Sequence, residues 1–199
     1  MATLGMGIII SIIMNQEVGL TGGPDGMPVS SLSFFGFEIV SELSWYWVVG
    51  ISLLITVWLA LNLIDSPIGR ALRSVSGSEM AAQVVGVDTA QYKMLVFVIS
   101  ALIAAFAGSL FAHYTGFLTP DEAGFLRSVE FVAMVVLGGM ASVFGSIIGA
   151  ALLTTLPQFL TVFHDYEHIV FGLVLMLTMI FMPRGLVPSL VYLYQRYRK

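Results

Sequence analysis

One stretch has the spacing of a catalytic centre: His164, Asp165, Tyr166, Glu167 and His168 spell H-x-x-E-H. In the inverted zinc peptidases two such histidines hold zinc and the glutamate activates water. That chemistry needs a third ligand, and no Asp, Glu or His follows His168. The one other histidine, His113, belongs to a different hydrophobic stretch. Short motifs of this kind match by chance, and a polar loop between two helices accounts for these residues. Cysteine is absent, which excludes thiolate metal sites and a disulfide framework. There is no G-x-x-x-x-G-K-[ST] cradle for nucleotide phosphates, so the chain cannot hydrolyse ATP by itself. Neither catalytic residues nor metal ligands are expected, and no cofactor.

The elements around that loop say more. Of 199 residues, 58% are hydrophobic and 10% charged, against about 25% charged in soluble domains. The apolar residues fall in blocks of membrane-spanning length. Trp45 to Ile64 is uncharged and ends at Asp65 and Pro67; Met94 to Tyr114 is a second block, anchored by Tyr92 and Lys93. Each is long enough to cross about 30 Å of hydrocarbon. Ile169 to Met182 is a short last span, stopped by Pro183, Arg184 and Gly185. Met1 to Met14 has the length of the back half of a span and lacks the basic start of a signal peptide. Paired ionisable groups at membrane depth, which proton- or sodium-coupled carriers need, are missing from these blocks.

Cations in short loops remain cytoplasmic. Arg70, Arg73 and Lys93 flank one loop, and Arg184, Arg196, Arg198 and Lys199 form the tail, so seven of eight basic residues mark two cytoplasmic places. Asn15 to Ser44, with four acids and no base, belongs outside, as does Arg127 beside Asp121, Glu122 and Glu130. Phe131 to Phe163 is uncharged and too long for one comfortable crossing. A single pass would put the cationic tail on the wrong side, so two passes, or a re-entrant half-helix and a return, are expected. The break falls among Gly138, Gly139, Gly145 and Gly149, which makes these residues candidates for the translocation path. Gly145 and Gly149 also have the spacing of a close-packed helix seam, as do Ala104, Gly108 and Ala112; the two readings are compatible.

Residues 65–92 form a cytoplasmic loop too long to be a bare connection. Ser76 and Glu79 have the spacing of a capping box. The sequence therefore predicts a short helix from Gly77 to Val85, ended by Gly86, which tolerates positive φ. Met80, Ala81, Ala82, Val84 and Val85 make it too apolar to stand alone in water. Such a helix lies on its own protein or docks on another.

Glu79, Ala81, Ala82 and Gly86 resemble the EAA loop of ATP-binding-cassette importer permeases. The flanks are similar to the LivM family of branched-chain amino acid permeases: Gly-Arg-Ala-Leu-Arg at 69 to 73, Gly-Val-Asp at 86 to 88, and Tyr92-Lys93. The likeness continues in Leu-Thr-Gly-Gly-Pro-Asp-Gly at 20 to 26, Ala-His-Tyr at 112 to 114, Pro120, Val-Leu-Gly-Gly-Met at 136 to 140 and Pro-Arg-Gly-Leu at 183 to 186. Ser76 and Gly77 stand where the family commonly has an arginine and an acid, Ala141 where it has glycine, and Ser146 where it has proline. The resemblance implies an all-α polytopic membrane protein of 5–6 transmembrane or re-entrant helices with a cytoplasmic coupling helix. Residues 1–199 would form one permease domain, the C-terminal part of the family's own, since members have further spans ahead.

By the same resemblance the chain is a permease subunit in a bacterial plasma membrane. It would carry branched-chain amino acids, urea or amides, with a LivH-like second permease, two cytoplasmic ATP-binding subunits and an extracytoplasmic substrate-binding protein. Docking on the ATPase would fall to Arg70, Arg73, Glu79, Ala81, Ala82, Gly86 and Asp88. A channel or structural membrane subunit unrelated to such importers is the alternative.

Overall fold

The computed structural model describes residues 2–30, 32–34, 37–38, 41–140, 142–160 and 185–189, with the helical positions 172, 176 and 180. Most of the last span, the H-x-x-E-H segment at 164 to 168 and the cationic tail lie outside the described residues. The chain divides into two compact units, residues 17–119 and the described parts of 1–16 with 120–199.

The first unit holds two long helices, α3 (Glu42–Asp65) and α6 (Thr89–Thr115), both long and apolar enough to cross a membrane. The blocks Trp45 to Ile64 and Met94 to Tyr114 fall inside them. At about 1.5 Å per residue they run to roughly 36 and 40 Å. Trp45 at the start of α3 meets Tyr114 at the end of α6 edge to face, with ring centroids 5.8 Å apart, so the two run antiparallel. Trp47, Leu54 and Trp58 on α3 and Met94, Phe97 and Leu102 on α6 are 61–69% exposed. Helices apolar and open all round suit lipid or neighbouring helices as solvent, not water.

Before α3, a short helix α2 (Val18–Thr21) ends in the glycine-rich turn around Gly23–Asp25. Strand β1 (Met27–Pro28) then pairs antiparallel with β4 (Phe117–Leu118) after α6, Met27 opposite Leu118. Between β1 and α3, β2 (Ser33–Phe34) and β3 (Phe37–Glu38) form a hairpin. These small strands were not expected from the sequence, where runs this short carry no alternation to read.

Residues 65–92 are the main revision. They contain two helices, α4 (Pro67–Gly77) and α5 (Glu79–Val84). Ser66 caps α4, its hydroxyl accepting from the Gly69 amide, and Pro67 occupies the first turn, where its missing N–H is harmless. Ser76 therefore lies inside α4, and the expected Ser76 to Glu79 capping box does not form. Ser78 caps α5 instead, accepting from the Ala81 amide at 3.3 Å. Glu79 becomes the first residue of the helix, turned to another partner.

In the second unit, α1 (Ala2–Gln16) packs against the turn Pro120–Ala123 and α7 (Phe125–Gly138). The long uncharged segment is broken as expected: α7 ends at Gly138 and α8 (Val143–Leu160) follows. Helix α7 begins earlier than the uncharged block, so Arg127 lies in its first turns, bonded to Glu122 at 3.0 Å and Glu130 at 2.8 Å. Met134, Leu137 and Leu153 form the buried core of the α7–α8 hairpin, with Leu186 packed against it.

Candidate functional site

The loop helices are built from local chemistry. Helix α4 turns back at the end of α3, and its two arginines close that end. Arg70 Nη1 donates to the Asp65 carbonyl at 3.1 Å and Arg73 Nη2 to the Ile64 carbonyl at 2.9 Å. Cations belong where a helix leaves carbonyls unpaired. Gly69 is buried against the Leu63 and Ile64 carbonyls, leaving no room for a Cβ.

Helix α5 is seated on α4 and on the start of α6. Ala82 is 3% exposed, its carbonyl accepts from the Val87 amide at 3.0 Å, and Gln83 Nε2 donates to the hydroxyl of buried Thr89 at 3.0 Å. Gly86 ends the helix with φ +88°, as its residue type predicted. Asp88 caps α6, one carboxylate oxygen accepting from the Ala90 and Gln91 amides at 3.1 Å each. Lys93 Nζ meets Glu79 Oε2 at 2.7 Å. This seat uses one side of α5 and leaves the other open: Met80 is 77%, Val84 88% and Val85 81% exposed. Met80 and Val84, four residues apart, share a face, and Ala82 points away from it.

The structure thus brings the expected docking residues together and gives most of them work inside the chain. Arg70 and Arg73 close α3, Asp88 opens α6, Ala82 seats α5, and Glu79 pairs with Lys93. The open apolar face consists of Met80, Val84 and Val85. Met80 and Val84 were readable from helical spacing once the N-cap was placed at Ser78.

Glu79 also makes the seat pH-sensitive. The hydrogen bond and the positive charge of Lys93 hold its carboxyl below its ordinary pKa. A lowered folded pKa stabilises above the ordinary carboxylate value, and that contribution is lost as pH falls through the folded one. A nitroxide on Met80→Cys is expected to gain mobility on acidification from about pH 6 to about pH 3. The same titration in a Glu79→Gln background should be flat; equal responses would remove the ion pair from the account.

Gly138, Gly145 and Gly149 also meet, and Gly139 follows Gly138 in the turn after α7. A methyl on Gly145 would sit 2.6 Å from the Gly138 carbonyl oxygen, and one on Gly149 would sit 2.7 Å from the Gly138 amide nitrogen. All four glycines are buried, and α7 and α8 touch backbone to backbone. Gly108, in the other small-residue seam, has open space around it.

Residues 1–181 match the family described as branched-chain amino acid transport system / permease component. The chain belongs to this family. It is an all-α polytopic membrane protein. The high-affinity branched-chain amino acid transport system permease protein LivM of Salmonella typhimurium is 31% identical over 94% of this chain and 49% of its own length. The corresponding LivH of Escherichia coli is 28% identical over 89% of this chain and 60% of its own. The autoinducer 2 import system permease protein LsrC of Yersinia enterocolitica is 28% identical over 90% and 51%. The chain therefore spans about half the length of the curated relatives it matches. No solved structure matches it.

Proposed function

We propose that this chain acts as a permease subunit of an ATP-binding-cassette importer in a bacterial plasma membrane. Branched-chain amino acids or similarly small solutes are its cargo, and a LivH-like permease is its partner. The energy comes from two cytoplasmic ATP-binding subunits, which hold the ATP, and the solute arrives on an extracytoplasmic binding protein. The observation that carries this reading is the open face of α5. Arg70, Arg73 and Lys93 lie on the flanking segments, so the positive-inside rule puts α5 in the cytoplasm. An apolar patch on a helix of six residues, facing water, is a contact in waiting for another protein. The α7–α8 hairpin, with its broken helix, is the element assigned to the solute path.

Val84→Glu tests the docking. The Val84 side chain is 88% exposed, so the variant should insert and fold as the parent does. Co-purification of the ATP-binding subunit with the tagged permease should be lost, because a carboxylate would have to be desolvated against an apolar groove. Undiminished co-purification would overturn the importer reading of this face.

A further inference from the structure

Arg70 and Arg73, three residues apart, share one face of α4. Because α4 folds back on α3, both guanidiniums reach the end of that helix, where they bond to successive carbonyls, those of Asp65 and Ile64. Each bond uses one of the five N–H donors that a guanidinium carries. Arg70 keeps Nε and Nη2, and Arg73 keeps Nε and Nη1, without a further hydrogen bond to the described residues. Both residues are exposed.

Their charge is unmatched as well. Among the described residues the ion pairs are Lys93 with Glu79 and Arg127 with Glu122 and Glu130, so neither arginine has a carboxylate, not even that of Asp65. The carbonyl end of α3 offers about half an elementary negative charge against two positive ones. A guanidinium cannot shed its proton to relieve the excess. Two held side by side call for an anion.

The depth of the pair says which anion is at hand. Trp45, Tyr46 and Trp47 open α3 with the aromatic side chains that settle at a membrane surface, here the outer one, since Asn15 to Ser44 carries acids and no base. From Trp45 to Ile64 the helix rises about 29 Å, the thickness of the hydrocarbon layer. The Trp45 contact puts Tyr114 of α6 at the same outer level, and Lys93 is then about 32 Å further in. Ile64 and Asp65 accordingly lie where hydrocarbon gives way to headgroups on the cytoplasmic side. The guanidiniums bonded to them lie at the level of the lipid phosphates.

We infer that Arg70 and Arg73 form a binding site for a phosphate oxyanion, carried by an anionic phospholipid of the cytoplasmic leaflet. Guanidinium forks match phosphate oxygens two at a time, and the donors left on both arginines can share one phosphate. Acyl chains have a surface beside it in the exposed apolar side chains of Trp58, Leu61 and Ile64 on the last turns of α3. Depth and that surface favour a lipid over free phosphate or a soluble partner's carboxylate. A lipid held there ties α4, and the α5 seated on it, to the end of α3.

The test heats the tagged chain, extracted in mild detergent with the partners that stay on it, after adding phosphatidylglycerol, phosphatidylcholine or inorganic phosphate. Fluorescence-detected size exclusion follows the melting. Phosphatidylglycerol should raise the parent's melting temperature by several degrees more than phosphatidylcholine, whose headgroup brings its own cation. Inorganic phosphate at equal concentration should do nothing. In Arg70→Gln/Arg73→Gln, which keeps an amide donor at each position and removes the charge, the two lipids should act alike. Either single glutamine variant should lower the difference by half or more, and decides the matter if the double variant fails to fold. Equal response of the parent to both lipids, or an undiminished difference in the variants, overturns the site. Inorganic phosphate as effective as phosphatidylglycerol makes it a site for a soluble anion and overturns the lipid assignment. Loss of the ATP-binding subunit from variants that keep the full lipid difference gives the arginines to that partner and overturns it too.

Discussion

Gly149→Val is expected to destabilise the protein by about 3 kcal/mol or more and to remove most folded material from detergent extracts of the membrane. The reason is what a Cβ would meet. At Gly149 it runs into the Met134 carbonyl oxygen and the Gly138 nitrogen and Cα, all backbone. A flexible side chain could swing away at the cost of a rotamer; a helix backbone cannot yield without moving α7 as a whole. Moving it also opens the packing of Met134, Leu137 and Leu153, the buried core of this unit. Gly108→Ala is the internal comparison. It is another helical glycine in a small-residue seam, but nothing lies within 4 Å of its Cβ position. It should shift the melting temperature little, or upward, since alanine is the better helix former. Fluorescence-detected size exclusion after a temperature series measures both. Equal melting of the two variants would mean that α7 and α8 do not depend on this approach.

That contrast shows what a sequence of this kind discloses. Both seams have small residues at helical spacing, and spacing alone cannot say which is used. The distinction is three-dimensional: a second helix arrives at Gly149, and among the described residues none arrives at Gly108. The long spans were legible because about twenty uncharged residues in a row have few other fates. So was the break near Gly139, forced by the parity of the cations. The loop was legible only in part. Helix α4 was not legible because Pro67 and Gly69 read as loop residues and Gly77 as the start of the next helix. Pro67 and Gly69 serve instead as the first turn and the close contact of a helix folded back on α3. Ser76 and Ser78 both precede an acceptable helix start, and the choice of Ser78 is made by α4 running through Ser76. Ala81 and Ala82 stood out by resemblance to the EAA loop, whereas the face that is open holds Met80, Val84 and Val85. Gly185 was readable as a helix stop, but its approach to Gly139 joins segments far apart in sequence, which no local pattern encodes.

Ala82→Glu should abolish association with the ATP-binding subunit as completely as Val84→Glu, by a different route that can be measured. Ala82 is 3% exposed, in the seat formed with α4 and the start of α6. An unpaired carboxylate left there costs several kcal/mol. A helix of six residues has little stability of its own to set against that. The cheapest relief is for α5 to leave its seat while α3 and α6 remain in the bilayer, so insertion should be normal. Leaving the seat also breaks the Gln83 to Thr89 hydrogen bond and the Glu79 to Lys93 pair. A nitroxide on Met80→Cys should therefore become mobile in Ala82→Glu and stay at parental mobility in Val84→Glu, although neither variant retains the partner. If Val84→Glu also mobilises the label, the open face is part of the seat and its role as a docking surface fails. If Ala82→Glu leaves the label unchanged and the partner bound, α5 is not held through Ala82.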